Sequence, residues 1–212
     1  MQVISHRGYW KSAAEKNTTT AFARSFALGY GTETDVRDLN GELVISHDMP
    51  TQPAMPLQKY LADLQTFNRP GKLTQALNIK ADGLATALAA QMKDYDQPWF
   101  VFDMSVPDML QHIRAGNPTF ARMSEYEPFP TLLQGQIKGI WLDAFTSTAW
   151  YSASVIESLL KQGLQVCIVS PELHGRDDQA DLWAALRPIN HYDGLILCTD
   201  LPEDASTALA LA

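Results

Sequence analysis

The chain has 212 residues, of which 46% are hydrophobic and 19% are charged. These are the proportions of an ordinary globular protein, and they argue against a disordered chain. Because there are 16 basic and 24 acidic side chains, the net charge is −8, which argues against nucleic acid or an anionic membrane surface as a partner.

Short apolar runs alternate with stretches of helical periodicity along the chain. Such runs are typical of buried strands, and an apolar period near 3.6 residues is typical of helices packed on them. The pattern predicts strands at 3–5, 31–36, 76–79, 99–102, 119–122, 139–142, 165–169 and 194–197. It predicts helices at 18–28, 57–67, 84–92, 106–113, 130–134 (short), 152–161 and 178–186. A final helix would have to come from 201–212, where 206–211 is rich in alanine and leucine. An additional β segment is predicted at 41–46, after the Asn40-Gly41 turn signal.

Alternation of strands and helices throughout one chain favours a single α/β domain covering residues 1–212. The eight predicted strands fit a small (β/α)₈ TIM barrel. An open doubly wound sheet is the alternative, but such a sheet usually carries a glycine-rich phosphate turn, and neither GxGxxG nor GxxxxGK[ST] occurs here. We therefore expect the barrel.

The cellular context is predicted from three features of the sequence. Residues Met1 to Arg7 lack a basic leader followed by an apolar run, so no signal peptide is predicted. The apolar runs are shorter than the ~20 residues of a transmembrane helix, so no stable membrane anchor is expected. Cys167 and Cys198 lie in apolar runs and are expected to be buried free thiols, with a disulfide or a ligand role as the alternative. A cytoplasmic location follows.

Two histidines each close an apolar run and precede a charged residue. His6 follows Val3-Ile4-Ser5, and His47 follows Leu43-Val44-Ile45-Ser46. In a barrel, reactive groups lie at the carboxyl ends of the strands. Imidazole can take up and release protons near neutral pH, so these two residues are the candidate acid–base pair.

Glu33 and Asp35 are two residues apart on a predicted strand, so their side chains share one face. Two carboxylates this close require a cation between them, either a divalent metal or a basic side chain. Thr32, Thr34 and Val36 would then face the helices. The alternative is that one carboxylate faces solvent at the end of the strand.

Three further features lie close to these residues. Arg7 offers a planar guanidinium suited to two phosphate oxygens. Gly8 lacks a Cβ where the backbone must turn away from the strand. Asn17-Thr18 precedes a helical pattern and is interpreted as a helix N-cap that could also orient a neighbouring group.

The sequence resembles the glycerophosphodiester phosphodiesterase family from end to end, most strongly over residues 4–48. An His-Arg-Gly triplet alone would be a weak signal, whereas the ordered set with these spacings is fairly specific. The matching segments are Ile4-Ser5-His6-Arg7-Gly8, Asn17-Thr18, Ala21-Phe22, Glu33-Thr34-Asp35-Val36, Gly41 to Val44, His47-Asp48, Tyr192-Asp193-Gly194-Leu195-Ile196 and Thr199-Asp200-Leu201-Pro202.

The resemblance implies a phospholipase-C-like barrel that cleaves a phosphodiester beside a free hydroxyl, with a place in lipid metabolism. It implies that His6 and His47 are acid and base. It also implies that Glu33 and Asp35 hold a divalent cation, Mg²⁺ or Ca²⁺, and that Arg7 holds the phosphate.

The chain departs from the family pattern at two places. Glu15-Lys16 stands before Asn17-Thr18, where the family usually has Pro-Glu. The family's third strand carries N-x-E-x-K, whose glutamate is the third metal ligand, whereas this chain has Asn78-Ile79-Lys80-Ala81-Asp82. Lys80 therefore stands where that glutamate is expected, and the cofactor prediction is correspondingly open.

Asn78 and Lys80 share a strand face, so both are predicted to point into the barrel mouth and contact substrate. In one interpretation Lys80 contacts the phosphate, while Glu33, Asp35 and the Asn78 amide oxygen hold a weaker Mg²⁺ or Ca²⁺. In the other, the Lys80 ammonium neutralises both carboxylates and replaces the electrostatic effect of the metal. The first interpretation is preferred.

Several residues are candidates for recognising the alcohol part of the substrate. Trp141, and the Tyr9-Trp10 pair, could line its pocket or simply pack at the rim. Carboxylates at other strand ends could bind substrate hydroxyls, namely Asp103, Glu125 and Asp143. His112, His174 and His191 lack a strand-end setting and are interpreted as ordinary residues.

The predicted function is hydrolysis of a small-molecule glycerophosphodiester. One alternative is a non-catalytic barrel that binds phosphate or a polyol phosphate, which the altered third strand favours and the two histidines disfavour. Another is a phospholipase-C-like lyase that stops at a cyclic phosphate. The sequence makes no prediction of oligomeric state.

Overall fold

The computed structural model describes residues 1–50, 54–67 and 73–211. Strands and helices alternate through these ranges. The strands are β1 (Gln2–His6), β2 (Gly31–Leu39), β3 (Glu42–Ile45), β4 (Met55–Pro56), β5 (Gln75–Ile79), β6 (Trp99–Phe102), β7 (Phe120–Met123), β8 (Gly139–Leu142), β9 (Gln165–Val169) and β10 (Leu195–Thr199). The sequence predicted each of these except β4, whose two residues are too few to show a period.

Parallel strands form the sheet in the order β6-β5-β2-β1-β10-β9-β8-β7. Between its two ends, β6 and β7, lies a single parallel bridge from Val101 to Thr119, where the Val101 N–H donates to Pro118 O at 2.8 Å. β3 and β4 are antiparallel additions that continue from β2. This topology confirms the predicted α/β barrel architecture.

All of the helices except the last connect parallel strands, and together they cover the outside of the sheet. They are α1 (Thr19–Leu28), α2 (Leu57–Gln65), α3 (Ala85–Gln91), α4 (Val106–Arg114), α5 (Ala153–Lys161), α6 (Gln179–Leu186) and α7 (Pro202–Ala208). The segment predicted as a short helix at 130–134 is a 3₁₀ turn at Thr131–Leu133. Among the residues that the structure describes, no helix is long and apolar enough to cross a membrane.

The last helix lies within the segment 201–212 from which the sequence analysis expected it. α7 starts at Pro202, carries Glu203 and Asp204 in its first turn, and ends at Ala208. The fixed φ of proline suits the first turn, and acidic side chains are favourable at the positive helix N-terminus. The alanine- and leucine-rich run at 206–211 overlaps only the end of this helix, because these signals start it at Pro202.

The apolar core has two layers, as expected when strand side chains alternate between two faces. One layer lies between sheet and helices. The other fills the barrel interior and includes both free cysteines; its members are Ile4, Ala76, Phe100, Phe102, Phe120, Trp141, Cys167, Val169, Ile196 and Cys198. Because Ile4 and Ala76 point inward, His6, Asn78 and Lys80 at even spacing point toward the interior mouth.

Two glycines allow backbone segments to approach closely. A Cβ on Gly31 would lie 2.1 Å from Thr74 O, so only glycine fits between β2 and the start of β5. Gly8 has φ +80°, and its Cβ would lie 2.8 Å from that of Ala21 at the start of α1. The sharp turn predicted at Gly8 is therefore confirmed.

Candidate active site

His6 lies at the carboxyl end of β1 and is held by a carboxylate from the opposite end of the sequence. Its Nδ1 lies 2.9 Å from Asp200 Oδ1, just after β10, and Trp10 Nε1 donates to the same oxygen at 3.2 Å. Because a carboxylate only accepts hydrogen bonds, Nδ1 carries the proton. Nε2 is then the nitrogen that can exchange protons, and it lies 4.0 Å from Glu33 Oε2.

Glu33 and Asp35 point to the same side of β2, as predicted, and both are buried. Parallel register places Glu33 beside His6 and Asp35 beside Asn78. Burial and the neighbouring Asp35 charge raise the pKa of Glu33 to about 7, and the positive charges of His6 (when protonated), Arg7 and Lys80 act in the opposite direction. Glu33 therefore titrates near neutral pH in the folded protein.

Basic and amide side chains surround the Asp35 carboxylate. Arg7 Nε lies 3.1 Å from Asp35 Oδ2 as an ion pair that lacks aligned hydrogen-bond geometry. Asn17 Nδ2 donates to the same oxygen at 2.8 Å, while Lys80 Nζ lies 3.6 Å from Oδ1. Asn17 in turn accepts a hydrogen bond from Thr34 Oγ1 at 2.9 Å. Thr18 is the N-cap of α1. Asn17 orients Asp35, which is the role toward a neighbouring group that the sequence analysis allowed.

The charged cluster continues across the mouth to the next strands. Lys80 Nζ also lies 3.6 Å from Oδ2 of Asp103, which follows β6. Arg122 on β7 donates to Asp103 Oδ1 and, through Nε, to Glu127 at 2.7 Å. Asp103 is thus engaged by two cations, so its predicted role toward substrate hydroxyls stays untested.

Three non-glycine residues of this cluster have left-handed backbone conformations. Their φ values are +56° at Arg7, +58° at Asn17 and +69° at Asp103. Such conformations are unfavourable for side chains with a Cβ, and strained residues concentrate at functional sites. Here two of them, Arg7 and Asp103, directly follow a barrel strand.

His47 has a different setting from His6. The preceding Ser46 donates its N–H to Asp35 O at 3.0 Å, so the His47 backbone lies next to the charged cluster. The imidazole is 43% exposed, and its Nδ1 lies 2.8 Å from Asp48 Oδ1. The acid–base role of His47 stays a prediction.

Asn78 and Trp141, the two remaining predicted substrate contacts, are both buried, but their polar and apolar surroundings differ. Asn78 is 8% exposed, and within the described residues its Oδ1 has no hydrogen-bond partner. Trp141 is 5% exposed and stacks on Phe102 with ring centroids 3.8 Å apart. Interior packing accounts for Trp141, and its predicted contact with substrate is untested.

Sequence reasoning missed several partners at the mouth. Asp200 was named only within the Thr199-Asp200-Leu201-Pro202 segment and given no role, although it orients His6. His174, interpreted as an ordinary residue, places Nε2 2.6 Å from Oδ1 of buried Asp143. It lies in a 3₁₀ turn after β9, so no apolar run ends at it. Glu125 accepts hydrogen bonds from the Thr146 and Phe145 N–H groups and ties two loops together.

The residues around Glu33 and Asp35 fit a divalent cation poorly. Mg²⁺ and Ca²⁺ take six or more oxygen ligands, several of them waters for Mg²⁺, and the carboxylates that hold them must be free to face the ion. In the described ranges, no group of three or more His, Cys, Asp or Glu side chains is arranged to hold a metal. Asp35 Oδ1 lacks a hydrogen-bond donor there, but the Lys80 ammonium lies 3.6 Å away. Like charges 4 Å apart repel by about 4 kcal/mol near a protein surface, and twice that for a dication.

Comparisons with known proteins were made at three levels. No protein-family model and no curated protein matches the sequence. Among solved structures, a glycerophosphodiester phosphodiesterase from Parabacteroides distasonis has a TM-score of 0.69 at 21% identity, covering 99% of this chain and 96% of its own. One from Agrobacterium tumefaciens has a TM-score of 0.69 at 19% identity, covering 98% and 99%.

A third similar structure contains a ligand. It is an Oleispira antarctica phosphodiesterase in complex with the product sn-glycerol-3-phosphate, with a TM-score of 0.70 at 16% identity over 99% of this chain and 97% of its own. At these identities the likeness establishes the fold. Over nearly its whole length, this chain has the fold of the glycerophosphodiester phosphodiesterases.

Proposed function

We propose that this chain is a phosphodiesterase that hydrolyses a glycerophosphodiester-type bond in a small molecule. The observation that carries the proposal is the His6 imidazole, which Asp200 holds with its second nitrogen facing two buried carboxylates and the cations Arg7 and Lys80. Binding a phosphate requires only cations and amides, whereas an oriented imidazole beside them supplies proton transfer.

His6 is proposed to transfer a proton through Nε2. Asp200 fixes the tautomer and the ring orientation, and it stabilises the imidazolium that forms when Nε2 takes up a proton. His47 is the proposed second group, because its backbone lies beside Asp35 and its side chain is exposed to an incoming substrate.

In the proposed reaction, water attacks phosphorus and the bond from phosphorus to the leaving alcohol breaks. One imidazole takes a proton from the attacking water, and the other gives a proton to the departing alkoxide. The products are a phosphomonoester and a free alcohol. Negative charge develops on the phosphoryl oxygens, where fixed cations stabilise it.

Arg7 is the proposed ligand of the substrate phosphate. Its ion pair with Asp35 holds the side chain beside His6, and the guanidinium can donate to two phosphate oxygens. Asn78 also belongs to the proposed substrate site, because its free amide oxygen can accept a hydrogen bond from a substrate hydroxyl. The similar Oleispira antarctica enzyme holds sn-glycerol-3-phosphate, which supports a glycerol phosphate as the recognised group. A cytoplasmic location is part of the same proposal.

Phosphorus NMR of the reaction with glycerophosphocholine tests the proposal. We expect the diester signal to be replaced by that of a phosphomonoester. A five-membered cyclic phosphate as the end product would identify a lyase instead. Binding of glycerol phosphate without turnover of any diester would identify a non-catalytic barrel, and either result would overturn the proposal.

A further inference from the structure

Lys80 occupies a central position between two acidic residues of the barrel mouth. Its backbone N–H donates to Val36 O at 3.0 Å, which fixes its place directly after β5. Its Nζ lies 3.6 Å from Asp35 Oδ1 and 3.6 Å from Asp103 Oδ2. The side chain is 20% exposed, so the ammonium is accessible from the mouth while facing buried carboxylate oxygen.

Every oxygen of these two carboxylates faces a cationic group. Asp35 Oδ2 is paired with Arg7 and accepts from Asn17, and Asp103 Oδ1 accepts from Arg122. Lys80 faces the remaining oxygen of each carboxylate. A divalent cation seated here would have to displace at least one of these side chains.

The distances also leave the ammonium able to bind a ligand. Hydrogen bonds from nitrogen to oxygen are 2.7–3.2 Å long, and both Lys80 contacts are longer. An ammonium has three N–H donors. The three donors of the Lys80 ammonium are therefore available to a phosphoryl oxygen that enters the mouth.

We propose that Lys80 does the electrostatic work of a divalent cation in this site, so that the protein cleaves its phosphodiester without a metal. This inference rests on the proposed function. In the resting site the ammonium compensates Asp35 and Asp103, and with substrate bound it donates to a phosphoryl oxygen as negative charge develops there. A charge preorganised by the fold needs no reorganisation during the reaction.

The first test compares the full-length protein after exhaustive dialysis against EDTA with the same protein supplied with Mg²⁺ or Ca²⁺. We expect kcat/KM for glycerophosphocholine to agree within about twofold, because fixed cations supply the stabilisation. A loss of tenfold or more in EDTA that either ion restores would overturn the inference.

Calorimetric titration with Mg²⁺ and with Ca²⁺ alone gives an independent readout. We expect no saturable binding to the wild-type protein at about 1 mM, the weak end of protein calcium sites. Binding of one ion per chain that Asp35→Asn abolishes would contradict the proposal. If no phosphodiester is turned over under any condition, the proposed function fails, and this titration still decides whether the cluster excludes a metal.

The Lys80→Glu variant exchanges the ammonium for a carboxylate. We expect it to bind Ca²⁺ and to show a calcium-dependent rise in Tm, because three carboxylates would then face one another. Lys161→Glu is the matched control, since Lys161 is exposed and pairs with Glu157 on α5. A Lys80→Glu variant that binds no more Ca²⁺ than wild type would contradict the claim that this ammonium excludes the ion.

Lys80→Met keeps the length of the side chain and removes its charge. We expect kcat/KM to fall by about 10²- to 10³-fold, the usual effect of deleting one preorganised donor. Lys80→Arg should recover part of that loss. Equal rates for wild type and Lys80→Met would overturn the inference.

Discussion

Two regions of the barrel carry opposite kinds of side chain: the mouth, centred on the ends of β1, β2 and β5, is the charged side, and the interior along β6, β7 and β8 is the aromatic side. The charged side holds Arg7 and Lys80 beside the buried carboxylates of Glu33 and Asp35. The side formed by β6, β7 and β8 is filled by stacked rings, with Phe100 on Phe120 and Phe102 on Trp141. In the stacked pairs the ring centroids are 3.7 and 3.8 Å apart.

This contrast separates stability from chemistry. Burial of aromatic rings stabilises the fold, and such pairs contribute further through their contact geometry. Buried carboxylates and non-glycine residues with a left-handed backbone both reduce the stability of the fold. They persist where a functional site needs them. Changes on the charged side should therefore alter activity first, and changes on the aromatic side should alter stability first.

The largest effect is expected for His6→Ala. Loss of the oriented imidazole removes one proton-transfer group, so kcat/KM should fall by about 10²- to 10⁴-fold. Initial rates of glycerophosphocholine hydrolysis measure it. The control is His191→Ala, at an exposed position before β10 at the opposite end of the barrel, which should keep the wild-type rate. A His6→Ala enzyme within threefold of wild type would exclude His6 from proton transfer.

On the aromatic side, Phe120→Ala should destabilise the protein by about 3–5 kcal/mol. Phe120 is fully buried in the barrel interior, so truncation leaves a cavity lined by rings. Urea unfolding measures the change, with Tyr126→Ala, at a 70% exposed position, as the control. A loss below 1 kcal/mol would mean that the interior repacks.

On the charged side, Glu33 should make the free energy of unfolding depend on pH. Since the pKa of Glu33 is raised to about 7, its protonated form stabilises the fold below the ordinary carboxyl pKa, and that contribution is lost as the pH rises through about 7. The side chain of the Glu33→Gln variant does not titrate. The free energy of unfolding of this variant relative to wild type should therefore rise toward pH 8, by about 3 kcal/mol at most.

Urea unfolding at pH 5 and pH 8 checks this prediction. Glu157→Gln, on the surface of α5, is the matched control and should show no such gain. A Glu33→Gln variant whose stability relative to wild type is the same at both pH values would mean that Glu33 stays ionised in the folded protein.

A smaller effect is expected for Asp200→Asn. The amide cannot stabilise the imidazolium of His6, and it permits the other tautomer. We expect kcat to fall by roughly 10- to 100-fold, the range for carboxylates that orient a metal-ligating histidine, while the site stays assembled. Asp204→Asn, at an exposed position on α7, should leave kcat unchanged. An unchanged kcat in Asp200→Asn would show that the orientation of His6 does not depend on this carboxylate.

The sequence predicted the barrel strands and the inward pair on β2, because both follow from periods that are local in the chain. Glu33 and Asp35 are two residues apart, so alternation alone puts them on one face. The same alternation placed Asn78 and Lys80 at the mouth. Gly8 was also predicted from its local context, and its φ of +80° agrees.

Partners that are distant in sequence could not be predicted in this way. Asp200 reaches His6 across 194 positions, because β10 is the parallel neighbour of β1. Arg122 meets Asp103 only because two adjacent strands end at the same level. Trp141 was expected to line the substrate pocket or to pack at the rim, because strand ends alone do not say how deep a ring lies among its neighbours.

The most direct test of the division between the charged and aromatic sides measures the free energy of unfolding of His6→Ala and the kcat of Phe120→Ala. The account predicts that His6→Ala keeps its free energy of unfolding within about 1.5 kcal/mol of wild type, the range of one lost hydrogen bond. It predicts that Phe120→Ala, counted per folded molecule, keeps its kcat. If His6→Ala instead loses stability as Phe120→Ala does while its rate is retained, the charged side is a structural element and the proposed active site is wrong.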